Sequence, residues 1–280
     1  MTSSALDHLS KELQADPTQA EARVAGYEEQ LTGLFENYKK ALLRELTQDA
    51  DAVKLQKATS ARTYTIDIGT FSKKMEKLTR EELIEPASEI IWDETKNAYL
   101  HGKKHGDIQL RPFGILLGAP LNIRQVEWRK LKIIIEKDKG EFKGITDATN
   151  QRIRSIIADG ILNETKYGEI TRGIVKAVDG VGITRASTMV RTETMKAVNL
   201  GVKDQYGVAG IEELERVEAI DERTCTDFEI DIGSRHFTGC GELDGQIFTR
   251  EEADQVDAKM HPNCRGTWIP HISVPEVTAE

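Results

Sequence analysis

Cysteine is scarce in this chain and confined to one end: three in 280 residues, all between positions 225 and 264. Three thiols cannot all pair with one another, so a disulfide scaffold is excluded and folding in a reducing cytoplasm is expected. Long apolar runs are missing as well. No stretch approaches the roughly 18 apolar residues of a membrane helix. The longest, Phe113 to Leu121, is broken by Gly114, Gly118 and Pro120. The opening Met1-Thr2-Ser3-Ser4-Ala5-Leu6-Asp7-His8 has neither a basic start nor an apolar centre, so no secretory signal is expected. There is no dense cationic patch. Residues 61–211 carry 25 basic and 20 acidic residues, and the basic residues between Arg124 and Lys143 alternate with acids, the pattern of a solvated helix face. Residues 212–280 hold 6 Lys+Arg against 17 Asp+Glu. Phosphate contacts need cations, so this end is not built to grip a nucleic-acid backbone. Also absent are a His-Glu-x-x-His pair, a Gly-x-x-x-x-Gly-Lys loop, a Gly-x-Ser-x-Gly turn and any internal repeat.

With 39% hydrophobic and 30% charged residues, the chain can bury a full core in one or two domains. Its first two-thirds read as helices. Asp16-Pro17-Thr18-Gln19 looks like a helix start. Val24, Tyr27, Leu31, Leu34, Phe35, Tyr38, Leu42 and Leu46 then recur at three- and four-residue steps. That stripe suits either a docking face for a partner or packing within its own chain. A polar stretch from Thr47 to Thr63 reads as a linker, Pro86 as a break in a helix from Phe71 to Leu100, and residues 102–120 as a loop. Further helices are expected over Ile123–Ile135, around Ile153 and Ile157, around Ile170 and Ile174, and, after Gly180 and Gly182, from Ile183 to Tyr206. Beyond Gly210, short strand-like runs (Val217–Ile220, Thr267–Ile272) and a short helix after Thr249 suggest an α+β module. The expected organisation is an N-terminal helical segment (1–60), a helical body (61–210) and a small C-terminal module (211–280).

Cys225, Cys240, His261 and Cys264 make up the inventory of a Cys3His metal site, and two residues between His261 and Cys264 suit one tight turn. Buried or idle cysteines beside an unrelated histidine are the alternative reading. Three thiolates would favour zinc over hard cations. In the helix from Ile183, Glu193 falls among Ala186, Met189, Val190, Ala197 and Leu200. A carboxylate there needs a partner, for which Arg223 and Arg265 are candidates, or else sits at the stripe's edge and reaches water. Lys196 lies towards the polar side, and Ala186, Ala197 and Gly201 leave room for a close neighbour. Asp221 and Asp244 have plain readings as turn residues.

Two stretches together resemble the phage Mu F-like minor head proteins, also called head morphogenesis proteins. The first is Arg185-Ala186 followed by Arg191-Thr192-Glu193 and Ala197-Val198-Asn199. The second is Asp221-Glu222-Arg223-Thr224-Cys225, then Cys240-Gly241-Glu242-Leu243-Asp244-Gly245, then His261-Pro262-Asn263-Cys264-Arg265. The resemblance covers about residues 120 to 270. Here residues 226–239 intervene where the family keeps its blocks close, which opens His236 as a substitute for Cys225. Gly266 stands where relatives often carry a further cysteine, and Cys240 falls where they carry Cys or His. The resemblance implies a mostly α, α+β fold with a metal-stapled C-terminal module. It also implies a non-enzymatic role in the virion head, at the portal vertex, in head assembly and genome delivery. The partners would be the portal and the major capsid or scaffold protein, with transient contact to packaged DNA and none to membrane. A zinc-supported nuclease or toxin-like enzyme, using His261, Asn263 and nearby acids, and a host zinc-stapled adaptor are the competing readings.

Overall fold

A computed structural model of the chain describes residues 20–54, 68–117, 121–163, 165, 167–222 and 224–272. The expected helix start at 16–19, residues 55–63 of the expected linker, Gly118, Pro120 and Arg223 lie outside these. The described chain is mostly helical with a small sheet module near its C-terminus. Helix α1 is Glu21–Lys54, α2 Ile68–Thr79, α3 Glu85–Leu110, α4 Gln125–Leu162, α5 Tyr167–Ala177 and α6 Thr184–Val208. Then come β1 (Glu213–Val217), β2 (Glu229–Ile232), β3 (Arg235–Thr238), β4 (Ile247–Thr249), α7 (Arg250–Lys259) and β5 (Thr267–Pro270). No helix among the described residues is long and apolar enough to cross a membrane.

Several expected breaks are helical. Thr47 does not end α1, which runs on to Lys54. Pro86 does not break the chain either, because α2 passes into α3 through a π turn, Arg80–Ile84, in which Glu85 N–H reaches back to Arg80 O. The wider turn accommodates a proline that has no N–H to give. A second π turn, Val178–Ile183, carries Gly180 and Gly182 directly into α6. The expected helices over 123–135 and around Ile153 are one helix, α4.

The chain divides into two compact units that are discontinuous in sequence and do not follow boundaries at 60 and 210: residues 26–93 with 135–190, and residues 1–25 with 94–134 and 191–280. The first unit is all helix. Tyr27, Leu31, Phe35, Tyr38, Leu42 and Leu46 of α1 are at most 2% exposed, so the stripe is spent on the protein's own core and is not a free docking face. Phe35 packs on Phe142 with ring centroids 5.6 Å apart. It also lies over Gly182, where a Cβ would come within 2.6 Å of its ring. A polar bridge crosses this core: Tyr38 donates to Asn150 at 2.6 Å, and the Asn150 amide donates to Thr79 at 2.9 Å.

The second unit mixes helices with all five strands. The sheet order is β4-β1-β5, antiparallel throughout, with Arg216 opposite Trp268, while β2 and β3 form a separate hairpin. Trp268, Phe248, Leu214, Tyr206, Val198, Val202 and Val256 share its core with Ile230, Ile232 and Phe237 of the hairpin. Residues 102–110, expected as loop, are the last turns of α3. Gly102 and Gly106 are there for contact: a Cβ on Gly102 would lie 2.0 Å from Val198 O, and one on Gly201 would lie 2.1 Å from Tyr99 O. The two helix backbones touch at these glycines, which outweighs the propensity cost of roughly 1 kcal/mol per helical glycine. Helix α7 begins with a capping box in which Thr249 Oγ1 accepts from Glu252 N–H and the Glu252 carboxylate accepts from Thr249 N–H.

Candidate metal centre

Three loops of the second unit supply the donors. Cys225 lies between β1 and β2, Cys240 opens a single 3-10 turn after β3, and His261 and Cys264 occupy the turn between α7 and β5. The residues between Cys225 and Cys240 do not push these thiols apart, because they form the β2–β3 hairpin and return. Cys240 N–H donates to Cys225 O at 3.0 Å. Gly239, at φ 74°, makes that approach possible, since a Cβ there would sit 2.6 Å from Cys225 O. The His261–Cys264 turn is closed by Asn263 at φ 65°, a left-handed conformation that asparagine tolerates better than most residues.

The donor atoms of Cys225, Cys240 and His261 lie within 4.8 Å of one another, as do those of Glu218, Cys240 and Cys264. Cys240 belongs to both groups and joins them into one cluster. A tetrahedral ion with the usual bond lengths sets its donors roughly 3.5–3.8 Å apart; each triad is close enough to share an ion, and the two triads meet at Cys240. His261 presents Nε2 to Cys240 Sγ at 2.8 Å, while Nδ1 faces Pro262 O at 2.7 Å. A proton on Nδ1, donated to that carbonyl, leaves the Nε2 lone pair for a metal, the usual support of a histidine ligand. A hydrogen bond from the Cys240 thiol pulls Cys264 below its ordinary pKa, burial opposes this, and the Arg216 guanidinium adds to the lowering. The same bond, with burial, pushes Cys240 up. The cluster could hold a metal ion. His236 is not part of it: its ring is exposed and meets Asp231 across the hairpin at 2.7 Å.

Beneath the cluster lies a charged layer that the sequence analysis missed. Arg216, fully buried, directs Nε to Glu218 at 2.7 Å, Nη1 to Asp257 at 3.3 Å and Nη2 to Cys264 Sγ at 3.3 Å. Its guanidinium lies 4.9 Å from the Trp268 ring centroid. Asp257 also pairs with Lys203 at 2.6 Å and accepts from Trp268 Nε1. Gly266 touches this layer, with a Cβ there falling 2.3 Å from Arg216 Nη2, so a cysteine at that position would collide with the guanidinium. Alternation along β1 was the only signal, since Leu214, Arg216 and Glu218 share a parity that turns them inward.

The later part of the first block meets the second block in this unit. Thr192 accepts from Asn263 N–H at 3.2 Å; Asn199 donates to Gly266 O at 3.0 Å and accepts from the Thr267 hydroxyl at 2.9 Å. Asn199 and Lys203 of α6 therefore face protein, each 5% exposed. Asp244 accepts from Glu218 N–H at 2.9 Å. Arg191 reaches Glu21 at 3.4 Å, whereas Arg185 is exposed in the other unit. Glu193 is 3% exposed, but the partner expected in Arg265 is not the one formed. Arg265 closes on Asp221 at 2.5 Å, and Glu193 pairs with Lys196 at 2.8 Å, whose flexible stem bends back over one turn. Arg223 lies outside the described residues. No family model, no curated protein and no solved structure matches this chain.

Proposed function

We propose that this chain is a minor head protein of a tailed virus or prophage, acting through protein contacts at the portal vertex in head assembly and genome delivery. A single structural zinc is held by Cys225, Cys240, His261 and Cys264. The observation that supports this reading most is the junction between the two resembling blocks: Thr192 of the first accepts from Asn263 of the second, and Asn199 of the first holds Gly266 and Thr267, the residues that follow the second. These contacts support the reading because they join residues of the first block to the loop that carries the second. Three thiolates and an imidazole fill a tetrahedral zinc, which suits a staple; a hydrolytic centre keeps a position open for water. The portal and the major capsid or scaffold protein are the partners, with packaged DNA touched only in passing.

Two measurements test this reading. Metal analysis of protein purified without chelator should find about one zinc per chain, and peptides of the chain should be detected in purified heads together with the portal. Absence from heads overturns the virion role and favours a host adaptor. A metal-dependent DNA cleavage abolished by His261→Ala overturns the non-enzymatic role.

A further inference from the structure

A zinc ion with three thiolates and one neutral imidazole carries net −1, and this one would sit at the edge of a buried core. Cys240 and Cys264 are 4% and 9% exposed, so solvent offsets little of that charge. An uncompensated buried charge is costly unless a partner is held beside it. Arg216 lies in the correct place, on β1 directly under Cys264, and is held by every side of its guanidinium. Nε is taken by Glu218, Nη1 by Asp257 and the flat face by Trp268, which leaves Nη2 directed at Cys264 Sγ at 3.3 Å. Gly266 admits the guanidinium, because any side chain there would occupy its space. Glu218 matters for a second reason. Its carboxylate lies within 4.8 Å of the Cys240 and Cys264 sulfurs, so it is a fifth potential donor. The 2.7 Å bond to Arg216 Nε fixes the carboxylate through Oε1, and Oε2 stands 3.9 Å from Cys264 Sγ, wider than the roughly 3.5–3.8 Å between donors that share a tetrahedral ion.

We propose that Arg216 is a positioning residue of the metal centre, which offsets the thiolate charge through Cys264 and keeps Glu218 a counter-ion rather than a ligand. This rests on the zinc reading above. A lysine, with one point charge, cannot serve a sulfur and two carboxylates in the same plane; a guanidinium can.

The test uses the full chain loaded with Co²⁺ and, separately, zinc affinity by chelator competition. Arg216→Met should weaken zinc binding about 10- to 100-fold, the range seen when an outer-shell partner is removed. It should also move the cobalt–thiolate charge-transfer band to lower energy, because the sulfur loses a donor. Arg216→Lys should recover part of the affinity but not the band position. Arg216→Met leaves Glu218 bare and can fail to fold, so Arg216→Met combined with Glu218→Gln is the companion variant, expected to fold and to show the same band shift. In wild-type protein loaded with ¹¹³Cd, a coupling between the metal and an Arg216 Nη proton needs no variant at all and is expected. A folded double variant with wild-type zinc affinity and an unchanged cobalt spectrum would overturn the role of Arg216 while leaving the zinc site standing. Wild-type protein that takes up no Co²⁺, Cd²⁺ or zinc ends both readings together.

Discussion

The two units reach stability by different routes. The helical unit buries an apolar stripe, Tyr27 to Leu46, with aromatic contacts such as Phe35 on Phe142, a polar bridge at Tyr38 and one fully buried acid, Asp138, among its described residues. The mixed unit buries charge. Arg216, Glu218, Lys203, Lys103 and Glu127 are all at most 5% exposed, and each is paired. Glu127 is held by Lys103 at 3.1 Å and by Arg124 at 2.6 Å, which keep its carboxyl below the usual range against the opposing effect of burial. A hydrophobic contact tolerates small displacements. A buried ion pair does not, because each lost partner leaves a charge without solvent. The mixed unit is therefore the more exacting of the two.

On the proposed zinc reading, metal removal is the strongest way to break the comparison. Structural zinc contributes on the order of 10–16 kcal/mol in small metal-held domains. Chelation, or Cys240→Ser, should therefore abolish amide-exchange protection in β1 to β5 and leave α1, α2 and α5 protected. Simultaneous loss of protection in both units would show that the staple is not local. Single-residue changes come next. Glu127→Ala in the mixed unit and Phe35→Ala in the helical unit should each cost about 3–5 kcal/mol in denaturant unfolding. The physical causes differ, however. Glu127→Ala should be largely rescued by adding Lys103→Met, because the second change removes the stranded ammonium, and additive costs would disprove the pairing account. Replacing Phe35 has no such partner to remove.

Asn199→Ala comes below these, at about 1–3 kcal/mol, since it leaves Gly266 O and the Thr267 hydroxyl without their partner. Its effect should appear as faster exchange in β5, and an unchanged β5 would mean that Asn199 does not hold the loop. The smallest effect belongs to the exposed pair Arg154–Glu76 of the helical unit, 2.9 Å apart. Glu76→Ala should cost less than about 1 kcal/mol and less still in salt. A larger cost would make charge as important there as in the mixed unit.

Sequence by itself determined the helical character of the first two-thirds, the α1 stripe, the small mixed module after Gly210 and the set of Cys and His residues that gather. These are local patterns: periodicity and composition are properties of neighbours along the chain. Tertiary structure decided what local signals misreport. Gly102 and Gly106 read as loop residues because glycine disfavours helix, yet they are helical because another backbone presses against them. Pro86 and Gly180 read as breaks, yet one extra residue per turn carries the helix through. Glu193 called for a partner, and geometry selected Lys196 for it, with Arg265 already committed to Asp221. Cys225 was in doubt because of the residues that follow it, and a hairpin brings it back to Cys240. Arg216 gave no sign beyond its place in an alternating strand, because a charge is worth burying only where Glu218, Asp257 and Cys264 converge on it, and that convergence exists only in three dimensions.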